Sequence, residues 1–207
     1  MNAGRTIRAF AATGMVAAVV WTVALIVEYQ YGLRPPGGGT VAYKLDQAAF
    51  FVAQVGYLLV LIEMFWTNAG GSGWFGLVAI GMWVVAGAAI GLGQLLGLFG
   101  VSAAFLLPIS GLGILLGSIL TSIAVWRAHR WTGWRRVMPA IWTAYFLVML
   151  VSVIAAIPVL SVPAEAPNPN APVPILEALW QGAWFLLSVA LFIEARQRTD
   201  KERGPAF

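Results

Sequence analysis

The chain contains no cysteine, which excludes disulfides, thiolate-held zinc, iron–sulfur clusters and cysteine nucleophiles in one step. Histidine is almost as scarce: the single one, His129, sits between basic residues in RAHR. Because haem and chlorophyll in helix bundles are commonly held by histidine, no such cofactor is expected. Lysine occurs only as Lys44 and Lys201, outside every apolar run, so a retinal Schiff base within a helix is excluded as well. Charge of either sign makes up 10% of the 207 residues, against about a quarter in a soluble domain.

What fills the chain instead is apolar, at 60% of its residues. A helix needs about 20 predominantly apolar residues to cross a bilayer core. Six stretches meet that need, at 10–31, 47–66, 74–98, 103–126, 137–160 and 175–195. No remaining segment is long enough to bury a core of its own, so 1–207 is expected to form a single all-α membrane domain of six transmembrane helices. The first stretch follows Arg5 and Arg8 as a secretory signal would, but its apolar part exceeds the usual h-region and ends in EYQY without a small-residue cleavage site. It reads as a retained helix.

Positively charged loops resist translocation, and this fixes orientation. With the N-terminus in the cytoplasm, Arg5, Arg8, Arg127, Arg130, Arg135, Arg136, Arg196, Arg198, Lys201 and Arg203 are inside, and only Arg34 and Lys44 are outside. An odd number of crossings would put the basic loop and the basic tail on opposite faces, so the charges also favour six, with the C-terminus cytoplasmic too. Trp66, Trp74, Trp126, Trp131 and Trp134 are expected at the inner boundary and Tyr29, Tyr31 and Tyr43 at the outer one, where amphipathic rings settle. The formal charge of +4 is carried by short clusters beside apolar runs, which reads as topology rather than nucleic-acid binding. Ten arginines to two lysines, with much alanine, glycine and valine, resembles the composition of high-GC bacteria and points to a bacterial inner membrane.

The two long outer loops, 33–44 and 161–174, contain proline, and the second (PAEAPNPNAPVP) favours an extended crossing. The short inner segment TNAGGSG reads as a turn. A faint echo relates residue n to residue n+131, setting Arg5 against Arg136, Asp46 against Glu177 and Glu63 against Glu194, as though the first and last hairpins were copies.

Ionisable side chains within a span are costly and mark candidate sites. Glu63, one turn short of the inner end of the second helix, is the foremost. Its competing readings are a carboxylate reaching the headgroup layer, or one paired with Arg127 or Arg130. Glu194 reads as a surface charge in a basic tail, and Glu28 and Glu177 as boundary charges, the latter capping the sixth helix. Gln54 and Tyr57 share a face of the second helix, and an amide in hydrocarbon needs partners. If Gln54, Tyr57, Gln94 and Gln181 converge, they form an uncharged hydrogen-bonding pocket. Ser110, Ser118, Thr121 and Ser122 are further partners for Gln94. Gly87, Gly91, Gly93, Gly97, Gly111, Gly113 and Gly117 have spacings that let helices approach closely, and are expected to mark a tight hairpin of the third and fourth helices. Pro139 falls in the first turn of its helix, whereas Pro108 and Pro158 lie further into theirs and are placed to kink or end them.

No set of His, Asp and Glu at one depth suits a metal-dependent hydrolase, no base stands ready for a serine nucleophile, and no phosphate-binding glycine loop is present. Catalysis is therefore not expected, nor are cofactors or metal. The leading expectation is an accessory subunit or scaffold whose partners are lipid and other membrane proteins or further copies of itself. The alternative is a small transporter or receptor that binds a small molecule or lipid among helices two, three and six.

Overall fold

A computed structural model describes residues 3–31, 41–101, 105–160 and 172–203. They form six helices, α1 (Ala3–Tyr31), α2 (Val41–Trp66), α3 (Trp74–Leu98), α4 (Leu106–Ala128), α5 (Met138–Leu160) and α6 (Pro172–Arg203), with a short 3-10 segment at Gly133–Val137. Among the described residues there is no strand. Five helices have described stretches long and apolar enough to cross a membrane: Thr6–Val27, Val41–Trp66, Trp74–Leu98, Pro108–Ala128 and Leu176–Gln197. This is the build of a multi-pass membrane protein. The helices are apolar around their whole circumference, as buried or lipid-facing helices are. Mid-helix residues such as Val85 (70% exposed), Leu112 (63%) and Val151 (63%) face outward, where only hydrocarbon would suit them.

Each helix packs on the next, and α6 returns to pack on α1, so the bundle is a closed ring with α2 and α6 touching across it. Side-chain pairs set the register of neighbouring helices. Phe10 stacks on Trp66 at 5.7 Å between α1 and α2, Ser122 meets Thr143 at 3.3 Å between α4 and α5, and Arg135 reaches Glu194 of α6 at 2.9 Å. The starts of α1, α3 and α5 and the ends of α2, α4 and α6 therefore share one end of the bundle, called here the basic end.

The helix boundaries differ from the apolar runs in informative ways. The first helix begins at Ala3, α2 begins at Val41 and α6 continues to Arg203, because good helix formers such as the arginines and glutamates of EARQRTDKER carry the helix past its apolar stretch. The fourth helix begins at Leu106, so Pro108 falls in its first turn, where a missing N–H is harmless, and not deeper in a span as expected. At the basic end α2 stops on Asn68 in the left-handed region (φ 51°). Ala69 N–H then bonds Met64 O at 3.0 Å and Asn68 N–H bonds Phe65 O at 3.1 Å, the paired closure of a helix C-terminus. Gly100 (φ 75°) does the same for α3, with Val101 N–H on Leu96 O at 3.0 Å. The expected turn at 67–73 is thus present.

Of the expected boundary tryptophans, Trp66, Trp74, Trp126 and Trp134 are exposed at the basic end, but Trp131 is 1% exposed and belongs to the core. Trp131 turns inward because the chain folds back into the 3-10 segment two residues later. The side chains of Arg5, Glu28, Tyr29, Tyr31, Pro158, Arg198, Lys201 and Arg203, and most of the two long loops with Arg34, lie outside the described residues.

Candidate functional site

Two polar residues expected to converge do so at the centre of the ring. The Tyr57 hydroxyl, from α2, donates to Oε1 of Gln181 on α6, and both side chains are 1% exposed. Around this bond is an aromatic shell that the polar pattern did not reveal. The Tyr57 ring lies flat on Trp184 (4.3 Å, 8°), Trp83 of α3 meets Trp142 of α5 at 4.5 Å, and Trp142 meets Trp184 at 5.1 Å. Phe146 and Trp180 close the same layer at 5.5 Å, and Trp21 of α1 abuts Tyr57 at 5.8 Å. Five helices thus contribute rings to one stack. The available signal was the depth of these residues: Trp21, Trp83, Trp142, Trp180 and Trp184 sit well inside their spans, and Trp142–Phe146 and Trp180–Trp184 have the four-residue spacing of one helix face.

A core so filled is apolar but not free of polar atoms. Among the described residues, Nε1 of Trp21, Trp142, Trp180 and Trp184 and Nε2 of Gln181 are buried without a hydrogen-bond acceptor. The layer therefore has several spare donors. Gln54, by contrast, has a partner: its Nε2 donates to Gly87 O of α3 at 3.0 Å, so it ties α2 to α3. Gln94 is only half-buried, on α3, and its Oε1 has no donor among the described residues. The serines proposed for it are occupied closer to home, Ser110 bonding Leu106 O at 2.5 Å, Ser118 bonding Leu115 O at 3.0 Å and Ser122 bonding Ser118 O at 2.7 Å, while Thr121 Oγ1 is buried without a partner among the described residues.

Comparison with protein-family models, with curated proteins and with solved structures found no match. The site must therefore be read from its own geometry.

Glu63 is 0% exposed, so it does not extend to a headgroup layer. One turn on, Thr67 Oγ1 donates to the Glu63 backbone carbonyl at 2.8 Å. The arginines suggested for it are elsewhere: Arg127 lies 5.8 Å over the Phe75 ring and Arg130 is exposed. Glu194 is not a free surface charge. It pairs with Arg135 at 2.9 Å, the two side chains being 8% (Arg135) and 12% (Glu194) exposed, and Arg135 also donates to Gln197 Oε1 at 2.8 Å and Thr132 Oγ1 at 2.7 Å. The 3-10 segment turns Arg135 into the bundle and so makes a clamp between the loop and α6. In the suggested duplication Glu63 matches Glu194, but the counterpart of Arg135 is Gly4, so this pairing is not repeated.

The glycines divide by neighbour. In α4, a Cβ at Gly113 would stand 2.8 Å from Ala86 Cβ and one at Gly117 2.7 Å from Trp83 N, which is the close α3–α4 approach expected. In α3, however, Gly87 and Gly91 face Gln54 of α2, at 3.3 Å in each case, and Gly97 faces Gln47. They make room for the α2 amide and not for α4. Gly93 is half-buried, and Gly111 has open space beside it. Two glycines not singled out from the sequence are tighter: a Cβ on Gly14 of α1 would strike both Val60 and Ser188, and one on Gly56 would meet Ala17 at 2.6 Å. These let α1 lie between α2 and α6.

Three grooves lie outside the aromatic layer. A groove of about 460 Å³ between α1 and α2 is walled by Val19, Val23, Val27, Leu45 and Ala49, with Asp46 in its lining. A second of about 280 Å³ between α1 and α6 runs past Thr22, Gln181, Gly182 and Phe185, and a third of about 370 Å³ lies between α3 and α4.

Proposed function

We propose that this chain is a non-catalytic protein of a bacterial inner membrane that crosses it six times with both ends in the cytoplasm, and that it serves as an accessory subunit or scaffold for other membrane proteins. The observation that carries the reading is the filled interior. Trp83, Trp142 and Trp184 are each 3% exposed or less, and their stack spans the ring where a transporter or channel needs a water-lined route. With the centre closed, the surface left for work is the outer one. The sixth crossing rests on α5, whose 23 residues include no charged side chain. The orientation rests on the arginine-rich basic end, where Arg136 lies 4.0 Å over the Trp126 ring and would be retained on the cytoplasmic side.

The reading is tested by extracting the chain from its native membrane with the surrounding lipid and weighing the particles intact. The expected result is a defined assembly that contains a second membrane protein or further copies of this chain. A lone monomer, together with solute uptake by liposomes that carry only this protein, would contradict it.

A further inference from the structure

The groove of about 370 Å³ between α3 and α4 leads toward a cation. Its α3 wall includes Val78, Met82, Val85 and Ala89, which recur at steps of three and four residues and so share one helix face. One step back on that face is Phe75, and the Arg127 guanidinium of α4 lies 5.8 Å over its ring. On α4 the line from Gly113 in the groove passes through the exposed Leu116 and Ile123 and also reaches Arg127, at spacings that keep one face. The groove is open along its length, for Val78, Val85 and Ile109 in its walls are all exposed. Its floor is apolar, because Ser110 is 1% exposed and spends its hydroxyl proton on Leu106 O.

Length and charge together select the occupant. From Val78 to Ala89 is about 16 Å at roughly 1.5 Å per residue, close to half of a hydrocarbon core of roughly 30 Å. Trp74 and Trp126, exposed at the basic end, mark the boundary level at which Phe75 and Arg127 lie. Of Arg127, Arg130, Arg135 and Arg136, only Arg135 has a carboxylate partner among the described residues, namely Glu194. Arg136 is folded onto the end of α4, with Nη2 on Trp126 O at 2.6 Å, and so adds positive charge beside Arg127. The complement is an apolar chain one leaflet long that ends in an anion. We propose that the outer α3–α4 groove holds an acyl chain of an anionic phospholipid whose phosphate accepts hydrogen bonds from Arg127. A zwitterionic headgroup would bring its own cation up to these arginines, and a second copy of the chain would leave Arg127 without a counter-charge. The site does not depend on the subunit reading, because it needs only a chain that lies in a bilayer.

The test uses the purified full chain in a non-ionic detergent, titrated with dioleoylphosphatidylglycerol and, separately, with dioleoylphosphatidylcholine, while native mass spectrometry counts the lipids bound. Three variants are compared with the parent. Arg127→Gln removes the cation at the mouth, and Arg130→Gln removes one from another exposed arginine of the same end. Gly81→Leu fills the groove, which Gly81 lines, from a position whose added Cβ would meet nothing within 4 Å. The expected result is one phosphatidylglycerol held per chain about fivefold or more tightly than phosphatidylcholine, the preference that one arginine at an anionic lipid surface gives. In Arg127→Gln that preference should disappear, in Arg130→Gln it should stay within about twofold of the parent, and in Gly81→Leu the held lipid of either kind should be lost. Equal binding of the two lipids by the parent, the same loss in Arg130→Gln as in Arg127→Gln, or undiminished binding in Gly81→Leu would overturn the proposal. So would a lipid-free dimer that Gly81→Leu splits into monomers, because a second copy of the chain would then be the occupant.

Discussion

Replacing Arg135 with alanine is expected to lower the stability of the folded bundle by about 3–5 kcal/mol, the usual cost of removing one partner from a buried ion pair. The guanidinium is hydrogen-bonded to Glu194, Gln197 and Thr132, and the Glu194 side chain is only 12% exposed. Without Arg135 that carboxylate stays enclosed between the loop and α6 and loses the ion pair with the guanidinium. Two comparisons separate this from a general effect of losing an arginine. Arg130 is exposed, and alanine there should change stability by no more than about 0.5 kcal/mol. Replacing Arg135 and Glu194 together with methionine should recover most of the loss, since an apolar pair of similar size often matches or exceeds a buried ion pair. Unfolding in mixed micelles of increasing sodium dodecyl sulfate content, followed by tryptophan fluorescence, measures all four proteins.

A loss of comparable size is expected from Trp142→Ala. Trp142 is 0% exposed and touches four other rings, Trp83, Phe146, Trp180 and Trp184, at 4.5–5.4 Å. In water the cost of such a truncation would include returning an indole to solvent. In a bilayer the unfolded helices keep their side chains in hydrocarbon, so the difference lies in close packing and in the cavity left behind. This places the expected loss near the lower end of the range for buried aromatics, about 3 kcal/mol, or a fall in melting temperature of roughly 10 °C. Trp134→Ala is the control, because Trp134 is 46% exposed at the basic end and should melt within a degree or two of the parent. Equal melting of the two variants would mean that the aromatic layer does not hold the ring together.

The bundle itself was legible because a bilayer asks a simple question of each segment, whether about 20 residues are apolar, and that information is local. The helix ends were less so, since EARQRTDKER is too charged to count as a span yet propagates α6 to Arg203. Which residues face one another was mostly hidden, because helices that are apolar all round carry no face in their pattern. The spacing of Gly87 and Gly91 suggested a close neighbour without saying that the neighbour is Gln54 of α2 rather than α4. The link between Tyr57 and Gln181 joins residues 124 apart in the chain and was visible only as two polar groups at similar depth. Arg135 is the clearest case of what sequence withheld. Nothing in WRRV distinguishes it from Arg136, yet the 3-10 turn buries the one and lays the other over Trp126.

The central claim is that no aqueous path runs through the ring, and the absence of cysteine makes it directly measurable. Ser118 and Ser188 are 0% exposed, whereas Ser72 is exposed in the turn at the basic end, and serine to cysteine changes little but the hydrogen bond. In membranes bearing Ser72→Cys, Ser118→Cys or Ser188→Cys as the sole thiol, a water-soluble maleimide reacts only where water reaches the thiolate. The account predicts that Ser72→Cys is labelled within minutes while Ser118→Cys and Ser188→Cys stay unlabelled with reagent on both sides of the membrane. Labelling of either interior position at a rate near that of Ser72→Cys would contradict it.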